Sequence, residues 1–425
     1  MMKMYVNPER AQWDALTLRA MTDDAVIEER VAGIISRVRL NGDRALCELS
    51  CEIDSVDLGG NIEVTESEIA DAAGQVSEEL KDAIAAAYEN IYRFHSAQKS
   101  PGVDLQTFPG VRCVQKSVAI SNVGLYVPGG SAPLFSTVLM LAVPAKVAGC
   151  QQVVLCTPCG KDGKVAPAVL YAASYCGVDR IFKIGGAQAI AAMAYGTATV
   201  PKVDKIFGPG NRYVTKAKEM LSRKVAIDMP AGPSEVLVVA DGSAVPSFVA
   251  ADLLSQAEHG PDSQVILVCQ DELTAGLVEE EVSRQLEMLP RRDIAAKALE
   301  NSRVVVLASP EDQIEFINAY APEHLIISVN EPWAFAGQIT SAGSVFIGNY
   351  TPESAGDYAS GTNHTLPTAG WARSMSGVNL DSFTRKITYQ EISPEGIRSI
   401  GKTKVTMARA EGLDAHANAA LIRMK

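Results

Sequence analysis

The hydrophobic residues near the start of the chain recur with the 3.6-residue period of a helix. They are Val26, Ile27, Val31, Ile34, Ile35 and Val38. Thr22 precedes this run as a candidate N-cap, and Asp23 and Asp24 suit the first turn because carboxylates stabilise helix N-termini. The pattern predicts a long amphipathic helix here and a second helix around residues 78–95.

From about residue 119 the pattern changes to apolar runs, glycine turns and helical runs in repeated order. The predicted strands cover residues 118–127, 152–157, 180–184 and 205–207, and the predicted helices cover 134–148, 187–195 and 211–221. This alternation is typical of an α/β fold built on a parallel sheet. It predicts one compact unit at about residues 121–234.

A second α/β stretch follows, and the chain ends in a segment of different character. Further strands are predicted near residues 264–269, 303–308, 325–329 and 344–347. Beyond residue 378 the pattern predicts an extended run at 384–391 and helices at 396–410 and 414–424. These last elements are too small to bury a core alone, so we expect a tail module that depends on other surfaces.

Composition and charge exclude several function classes. The chain has 425 residues, with 38 Lys and Arg against 50 Asp and Glu, which gives a net charge of −12. A nucleic-acid-binding protein normally shows the opposite excess, so no nucleic acid partner is expected. No apolar run approaches the roughly 18 residues of a membrane span. We therefore expect a soluble protein that does not bind a membrane.

The N-terminus and the cysteines indicate a cytoplasmic location. The first twenty residues carry charges throughout and lack the apolar core and cleavage site of an export signal. Of eight cysteines only Cys156 and Cys159 have a redox-like or zinc-like spacing, and no second pair completes four ligands. Ordinary thiols in a reducing compartment are the simpler interpretation.

Three predicted strands of the first unit open into glycine turns before a helix. The turns are Gly129-Gly130, Gly185-Gly186 and Gly208-Pro209-Gly210. Such turns bring backbone N–H groups and helix N-termini toward a phosphate-bearing ligand. No G-x-G-x-x-G fingerprint is present, and each turn alone could be simple turn chemistry. Together they indicate a nucleotide site.

Several titratable or amide side chains have spacings that suit a metal ion. Gln256 and His259 lie three residues apart, on one face if the segment from residue 250 is helical. Ordinary hydrogen bonding at a helix end is the alternative. Asp357 and His364 lie in a long Gly, Ser, Thr and Asn-rich loop, and loops of that length are often functional.

Glu323 and His324 come directly before the apolar run Leu-Ile-Ile, at the mouth of a predicted buried strand. Acid–base pairs are useful at such positions. The alternative is a surface glutamate beside a capping histidine. Because neighbours in a regular strand face opposite sides, joint action requires that the strand begin only after His324.

Seven ordered motifs closely resemble those of histidinol dehydrogenases, over nearly the whole chain. They are Gly-Leu-Tyr126-Val-Pro-Gly-Gly, Gly-Gly-Ala-Gln188-Ala, Phe-Gly-Pro-Gly-Asn211, Ala-Gly-Pro-Ser234-Glu, Ser-Gln256-Ala-Glu-His259-Gly, Ala-Pro-Glu323-His324-Leu, and Gly-Asp357-Tyr with Asn-His364-Thr-Leu-Pro-Thr. Seven motifs in one order are far more specific than any single fingerprint. No matched position is missing.

The resemblance implies an enzyme that oxidises L-histidinol through L-histidinal to L-histidine, the last step of histidine biosynthesis, and reduces two NAD per turnover. It implies one Zn²⁺ per subunit, which orients the substrate, with Glu323 and His324 as general bases. The implied zinc ligands are Gln256, His259, Asp357 and His416, a nitrogen and oxygen donor set that suits zinc. The implied substrate contacts are these four ligands together with Ser234, His324 and Glu411, with His364 as a further candidate. The implied cofactor contacts are Tyr126, Gln188 and Asn211.

The resemblance also implies a homodimer in which the C-terminal tail crosses to the partner, so that Glu411 and His416 complete the neighbouring site. The expected fold is α/β, with two incomplete Rossmann-like domains, parallel sheets and a small N-/C-terminal tail module. The expected divisions are 1–24 as an N-terminal segment, 25–120 with 238–378 as a first domain, 121–237 as an NAD-binding domain, and 379–425 as a dimerising tail.

Three other functions fit parts of the pattern. A zinc- and NAD-dependent dehydrogenase of another small polar alcohol keeps the same ligands, although Ser234, His364 and Glu411 favour an imidazole-bearing substrate. A zinc hydrolase would use Glu323 to activate water and would bind no NAD. A non-catalytic structural role leaves the ligands and bases unexplained.

Overall fold

The computed structural model describes residues 2–19, 25–129, 133–230 and 232–425. Within these residues the chain forms two parallel β-sheets and one antiparallel sheet. The predicted first helix is described from Ala25 to Asn41. Its predicted N-cap Thr22, with Asp23 and Asp24, lies outside the described residues, as does Gly130 of the first glycine turn.

The first parallel sheet has five strands. In spatial order they are Arg180–Phe182, Gln152–Cys156, Asn122–Tyr126, Lys205–Phe207 and Ala226–Ile227. Helices cover both faces, which explains why the strands read as continuous apolar runs. The helices on one face are Glu66–Gln75, Glu78–Ala97, Phe135–Ala148 and Pro167–Tyr175. Those on the other are Ala25–Asn41, Asp43–Leu49, Gly186–Tyr195 and Arg212–Leu221.

The second parallel sheet has six strands and is also buried on both faces. In spatial order the strands are Lys3–Val6, Arg303–Val306, Gln264–Cys269, Glu235–Ala240, His324–Ser328 and Ser344–Ile347. One face is covered by the helices Pro246–Ala257, Glu272–Leu286 and Arg292–Glu300. The other face is covered by Trp13–Thr17, Pro310–Tyr320 and Pro332–Ala336.

The antiparallel sheet joins the end of the chain to its middle. Its strands are Val103–Phe108, Val111–Ala119 and Thr384–Ile392. The helices Pro394–Ala410 and Asp414–Leu421 follow and pack on each other. The extended run and both helices predicted for the tail are therefore confirmed.

The predicted α/β class with parallel sheets is confirmed, whereas several predicted divisions differ from the observed contacts. Residues 118–127 do not form one strand, because the chain breaks after Ala119 and enters a different sheet at Asn122. The helices within 25–120 pack on the five-stranded sheet and not with 238–378. Strand Glu235–Ala240 crosses the predicted border at 237.

The N-terminal segment is also more integrated than predicted. Lys3–Val6 pairs in parallel with Arg303–Val306 and so forms an edge of the six-stranded sheet. Sequence periodicity identifies each element but not the sheet on which it packs, since every apolar face satisfies the same pattern. Among the described residues no helix is long and apolar enough to cross a membrane.

A buried ion pair holds one glycine turn of the five-stranded sheet. Lys218 Nζ lies 2.5 Å from Asp228 Oδ1, and the side chains are 3% and 1% exposed. The Lys218 ammonium also donates to the Gly208 carbonyl at 2.8 Å, and the Gly208 N–H donates to Asp228 at 2.7 Å. Gly208 has φ +124°, and a Cβ there would collide with the Tyr126 carbonyl, so glycine is required.

We expect Lys218→Met to lower the free energy of unfolding by about 3–5 kcal/mol, because it leaves the Asp228 charge buried without its partner. Urea unfolding followed by circular dichroism measures the change. Lys386→Met is the matched control, since Lys386 pairs with Asp381 at 2.8 Å where the side chains are 37% and 67% exposed. A loss of about 1 kcal/mol or less is expected for the control. Equal losses would contradict this account.

Candidate active site

Glu323 and His324 lie together at the amino end of the six-stranded sheet. The strand begins at His324 and not after it, as joint action was expected to require. The two side chains approach nevertheless, because Glu323 lies outside the strand and does not follow its alternation. Their side chains approach to 3.6 Å, between Glu323 Oε2 and His324 Nδ1. The residues are only 6% and 4% exposed, which excludes the surface-glutamate alternative.

The chain direction brings Gln256 and His259 to the same end of the sheet. Helix Pro246–Ala257 connects two parallel strands, so it runs backward and its C-terminus lies near their amino ends. Gln256 is buried in the last turn, and His259 follows the helix at the surface.

A short helix supplies carboxylates to the same place. Helix Glu353–Tyr358 carries Glu353 and Asp357 on one face, four residues apart. Ligand atoms of His259, Glu353 and Asp357 all lie within 4.8 Å of one another. Sequence reasoning missed Glu353, although its spacing from Asp357 was a usable signal.

The Gln256 amide contacts both the ligand cluster and the six-stranded sheet. With its nitrogen toward Glu353 the amide donates to that carboxylate, and its oxygen accepts from the Glu235 N–H at 3.1 Å. Gln256, His259, Glu353 and Asp357 together offer the nitrogen and oxygen donors that fit Zn²⁺.

Burial and mutual repulsion shift the protonation of this cluster. Burial raises the pKa of Glu353 to about 8, and the charges of Asp357 and Glu323 add to the effect. Burial also raises the pKa of Asp252 to about 7. For His324 burial opposes the charged form, but the facing carboxylates Glu323 and Glu353 outweigh it and raise its pKa to about 10.

His364 connects this cluster to the five-stranded sheet. Its Nδ1 lies 3.1 Å from the Asp357 carbonyl, and its Nε2 lies 3.2 Å from Thr137 Oγ1 at the start of helix Phe135–Ala148. Burial lowers the pKa of His364, so a neutral ring is favoured. The Asn363 amide also donates to the Met140 carbonyl of that helix at 2.6 Å. The predicted loop therefore packs on this helix at His364, whereas Asp357, predicted in the same loop, lies in helix Glu353–Tyr358.

The structure places the other predicted substrate contacts in two different regions. Ser234 is half-buried directly before strand Glu235–Ala240, next to the residues that contact Glu323. Glu411 and His416 are exposed in the C-terminal tail. His416 is absent from the cluster of described ligand atoms around His259 within one chain.

A cavity of about 1460 Å³ opens at the carboxyl ends of the five-stranded sheet. Tyr126, Gln188 and Asn211, the three positions for which the resemblance implies cofactor contacts, all line this cavity. The Tyr126 hydroxyl accepts from the Gly186 N–H at 3.1 Å, and burial raises the pKa of Tyr126 to about 12. Asn211 accepts from the Tyr213 N–H at 3.1 Å and so caps the next helix. Carboxyl ends of parallel strands are the usual place for a dinucleotide.

Gln188 has a partner that sequence reasoning did not find. Its amide donates to Asp54 Oδ2 at 3.2 Å, and Asp54 also lines the cavity. Cys156 and Cys159 are free thiols, and burial raises the pKa of both.

The fold and site define an α/β enzyme with a buried carboxylate–imidazole pair, an adjoining metal-ligand cluster and a separate nucleotide-sized cavity. The chain belongs to the histidinol dehydrogenase family, whose profile matches residues 17–424. It is 57% identical to the histidinol dehydrogenase of Bacteroides fragilis strain YCH46 over 425 residues, covering 100% of this chain and 99% of that one. The crystal structure of histidinol dehydrogenase from Elizabethkingia anophelis is 50% identical with a TM-score of 0.97, covering 100% of this chain and 98% of that one.

We expect the metal-free protein to lose stability as the pH rises from about 6 to about 9. The pKa values of Asp252, Glu353 and His324 are all raised in the folded state, so the folded protein binds more protons than the unfolded chain and each deprotonation costs stability. Thermal unfolding with a chelator should show a loss on the order of a few kcal/mol over this range.

The matched variant is Glu353→Gln, which keeps the side-chain size and removes one charge. We expect this variant to show a weaker dependence of stability on pH. We also expect added Zn²⁺ to stabilise the original protein more at the higher pH, where the carboxylates are ionised. If stability rose with pH, or if Glu353→Gln left its pH dependence unchanged, the loss could not be assigned to the deprotonation of this buried cluster.

Proposed function

We propose that this protein catalyses the NAD-dependent, four-electron oxidation of L-histidinol to L-histidine through L-histidinal, the last step of histidine biosynthesis. The observation that carries the proposal is the convergence of Gln256, His259 and Asp357 beside Glu323 and His324, as the family's ligand and base positions require. The large cavity lined by Tyr126 and Gln188 supports NAD as the hydride acceptor. The eight free thiols support a reducing, cytoplasmic location.

The metal would be held by Gln256, His259, Asp357 and His416 of the partner subunit. When bound, Zn²⁺ orients the substrate and adds a positive charge that lowers the pKa of nearby groups such as His324. Glu353 adds a further carboxylate to the cluster, with an oxygen within 4.8 Å of the other two ligand atoms.

His324 is the proton acceptor for the first oxidation. An alcohol releases hydride readily only as its hydroxyl proton leaves, and a neutral imidazole is suited to take that proton. The Nε2 of His324 is buried and has no hydrogen-bond partner among the described residues, so in the neutral ring it can accept the proton. Its Nδ1 lies 3.1 Å from the Glu235 carbonyl, which fixes the ring.

Glu323 makes the second oxidation possible. An aldehyde is oxidised to an acid by hydride transfer only after water has added to its carbonyl group and formed the hydrate. The Glu323 carboxylate can take the proton of that water. The Glu235 N–H donates to Glu323 Oε2 at 2.8 Å and holds the carboxylate beside His324. Retaining the aldehyde in a closed site protects it from amines.

The tail supports a shared site. The antiparallel sheet leaves large apolar side chains exposed, which are Val103, Leu105, Phe108 and Tyr389. Exposed apolar patches of this kind are typical of association surfaces. A homodimer with exchanged tails would cover them and bring Glu411 and His416 to the neighbouring site.

Adding histidinol and NAD should increase the absorbance of reduced nicotinamide, with two NAD reduced per histidine formed. A chelator should abolish turnover, and Zn²⁺ should restore it. A zinc hydrolase would reduce no NAD. A dehydrogenase of another alcohol would prefer that alcohol to histidinol, and either result would overturn the proposal.

Variants of the two bases should affect the two oxidation steps differently. Glu323→Gln should slow the oxidation of supplied histidinal at least about 100-fold while the alcohol step keeps most of its rate, because only the second step needs activated water. His324→Asn should impair both. Stopped-flow measurement of each half-reaction checks this, and equal losses in the Glu323 variant would contradict the division of roles.

Mixed dimers test the crossing tail. Equal amounts of Gln256→Ala and His416→Asn subunits should recover up to about one quarter of the original activity, since half of the dimers would carry one complete site. Mixing Gln256→Ala with Asp357→Ala is the control and should recover none, because both ligands come from the same chain. Recovery in neither mixture, with subunit exchange shown by mass spectrometry, would exclude a shared site.

A further inference from the structure

One residue of the six-stranded sheet contacts both proposed bases through its backbone. The Glu235 N–H donates to Glu323 Oε2 at 2.8 Å, and the Glu235 carbonyl lies 3.1 Å from His324 Nδ1. The parallel register, which pairs His324 with Val236, places Glu235 at this level. The position of this single residue therefore sets the relative placement of the carboxylate and the imidazole.

The side chain of Glu235 is itself held at three points. Arg19 donates through Nε to Oε1 at 2.9 Å and through Nη2 to Oε2 at 2.7 Å. The Ala369 N–H donates to Oε1 at 2.8 Å. The carboxylate is 2% exposed, and Arg19 is 16% exposed. Among the described residues, the hydrogen bonds to this buried charge come from segments distant in sequence.

Arg19 is also fixed from several sides. Its guanidinium lies 3.6 Å from the ring centroid of Tyr320, and its Nη1 donates to the Thr17 carbonyl at 3.1 Å. Tyr320 is fully buried, and its hydroxyl donates to Gln264 at 2.9 Å. A planar, forked guanidinium matches this combination of carboxylate and aromatic ring, whereas an ammonium does not.

We propose that Arg19 and Glu235 are positioning residues for catalysis: the bidentate ion pair holds the first residue of strand Glu235–Ala240, whose backbone orients Glu323 and His324. The inference rests on the proposed function, in which those two side chains are the bases. In this role Arg19 and the Glu235 side chain act through the Glu235 backbone and not on the substrate. They support catalysis indirectly, because the two bases must be held within a fraction of an ångström of their productive positions.

The arrangement also selects a histidine tautomer. Since a carbonyl can only accept, the His324 Nδ1 must carry the proton that it donates to Glu235, and in the neutral ring Nε2 is left with the lone pair. Nε2 is buried and has no partner among the described residues. A shift of Glu235 would free Nδ1 to turn toward the Glu323 carboxylate, 3.6 Å away, and would misplace the base.

The test uses Arg19→Lys, which keeps the charge and removes the fork, in the full-length zinc-loaded protein. We expect kcat with histidinol to fall about 10- to 100-fold while KM changes less than about threefold, because the bases are displaced and the substrate contacts are not. Arg180→Lys is the matched control. Arg180 makes a bidentate pair with Glu63 at 2.7 and 2.6 Å, and neither residue contacts the proposed bases. Both of its kinetic parameters should stay within about twofold.

A second measurement reports the ring directly. The chain has five histidines, so ¹⁵N-histidine NMR can identify the His324 signals by their loss in His324→Asn. In the zinc-loaded protein, where the added positive charge lowers the pKa of the ring, we expect the Nδ1-protonated tautomer in the original protein and a mixture of tautomers in Arg19→Lys. Glu235→Gln, which is nearly isosteric, should show the same change and serves if Arg19→Lys does not fold.

Three results would overturn the inference while leaving the proposed function intact. They are an Nε2-protonated His324 in the original protein, an unchanged kcat in folded Arg19→Lys, and equal kinetic losses in Arg19→Lys and Arg180→Lys. Failure of the proposed function looks different, since the original protein would then not reduce NAD with histidinol.

Discussion

Excess buried negative charge at one end of the six-stranded sheet is the constraint on which the site depends. The carboxylates of Glu235, Asp252, Glu323 and Glu353 are all at most 9% exposed. A buried carboxylate is tolerated only when it is protonated, hydrogen-bonded or paired with a positive charge. Arg19 satisfies Glu235, and His324 faces Glu323. The carboxylates of Glu353 and Asp357, with His259 beside them, are left in an arrangement that favours a divalent cation.

The metal-ligand cluster and the cavity lie at opposite strand ends of two different parallel sheets. The cluster around His324 lies at the amino ends of the six-stranded sheet, whereas the nucleotide-sized cavity lies at the carboxyl ends of the five-stranded sheet. His364 connects them, because its ring contacts both Asp357 and Thr137 of the helix that follows the cavity loop. This loop between the sheets thus joins the cluster to the helix that follows the cavity loop, a connection that the proposed hydride transfer would use.

Much of the secondary structure could be predicted from local pattern, and the errors have a common cause. Strands buried on both faces and helices with one apolar stripe have distinct periods, which is why the tail helices and most strands of both sheets were located correctly. The hydrophobic period does not show on which sheet an element packs. The helices within residues 25–120 were therefore assigned to the wrong sheet, and the break at residues 120–121 was missed.

For the site, the motifs identified Gln256, His259 and Asp357 as residue types suited to metal binding. They identified Glu323 and His324 as types suited to base chemistry. Spacing alone could not show that these side chains converge. Glu353, Arg19 and Asp54 were missed, since each is an unremarkable charged residue in its local sequence. By itself the sequence determined the elements, the family resemblance and the side chains able to do chemistry. Only the tertiary structure decided which charges are buried together, because desolvation and hydrogen bonding depend on neighbours brought together by the fold, and these two effects set the pKa values, the tautomer and the affinity for a cation.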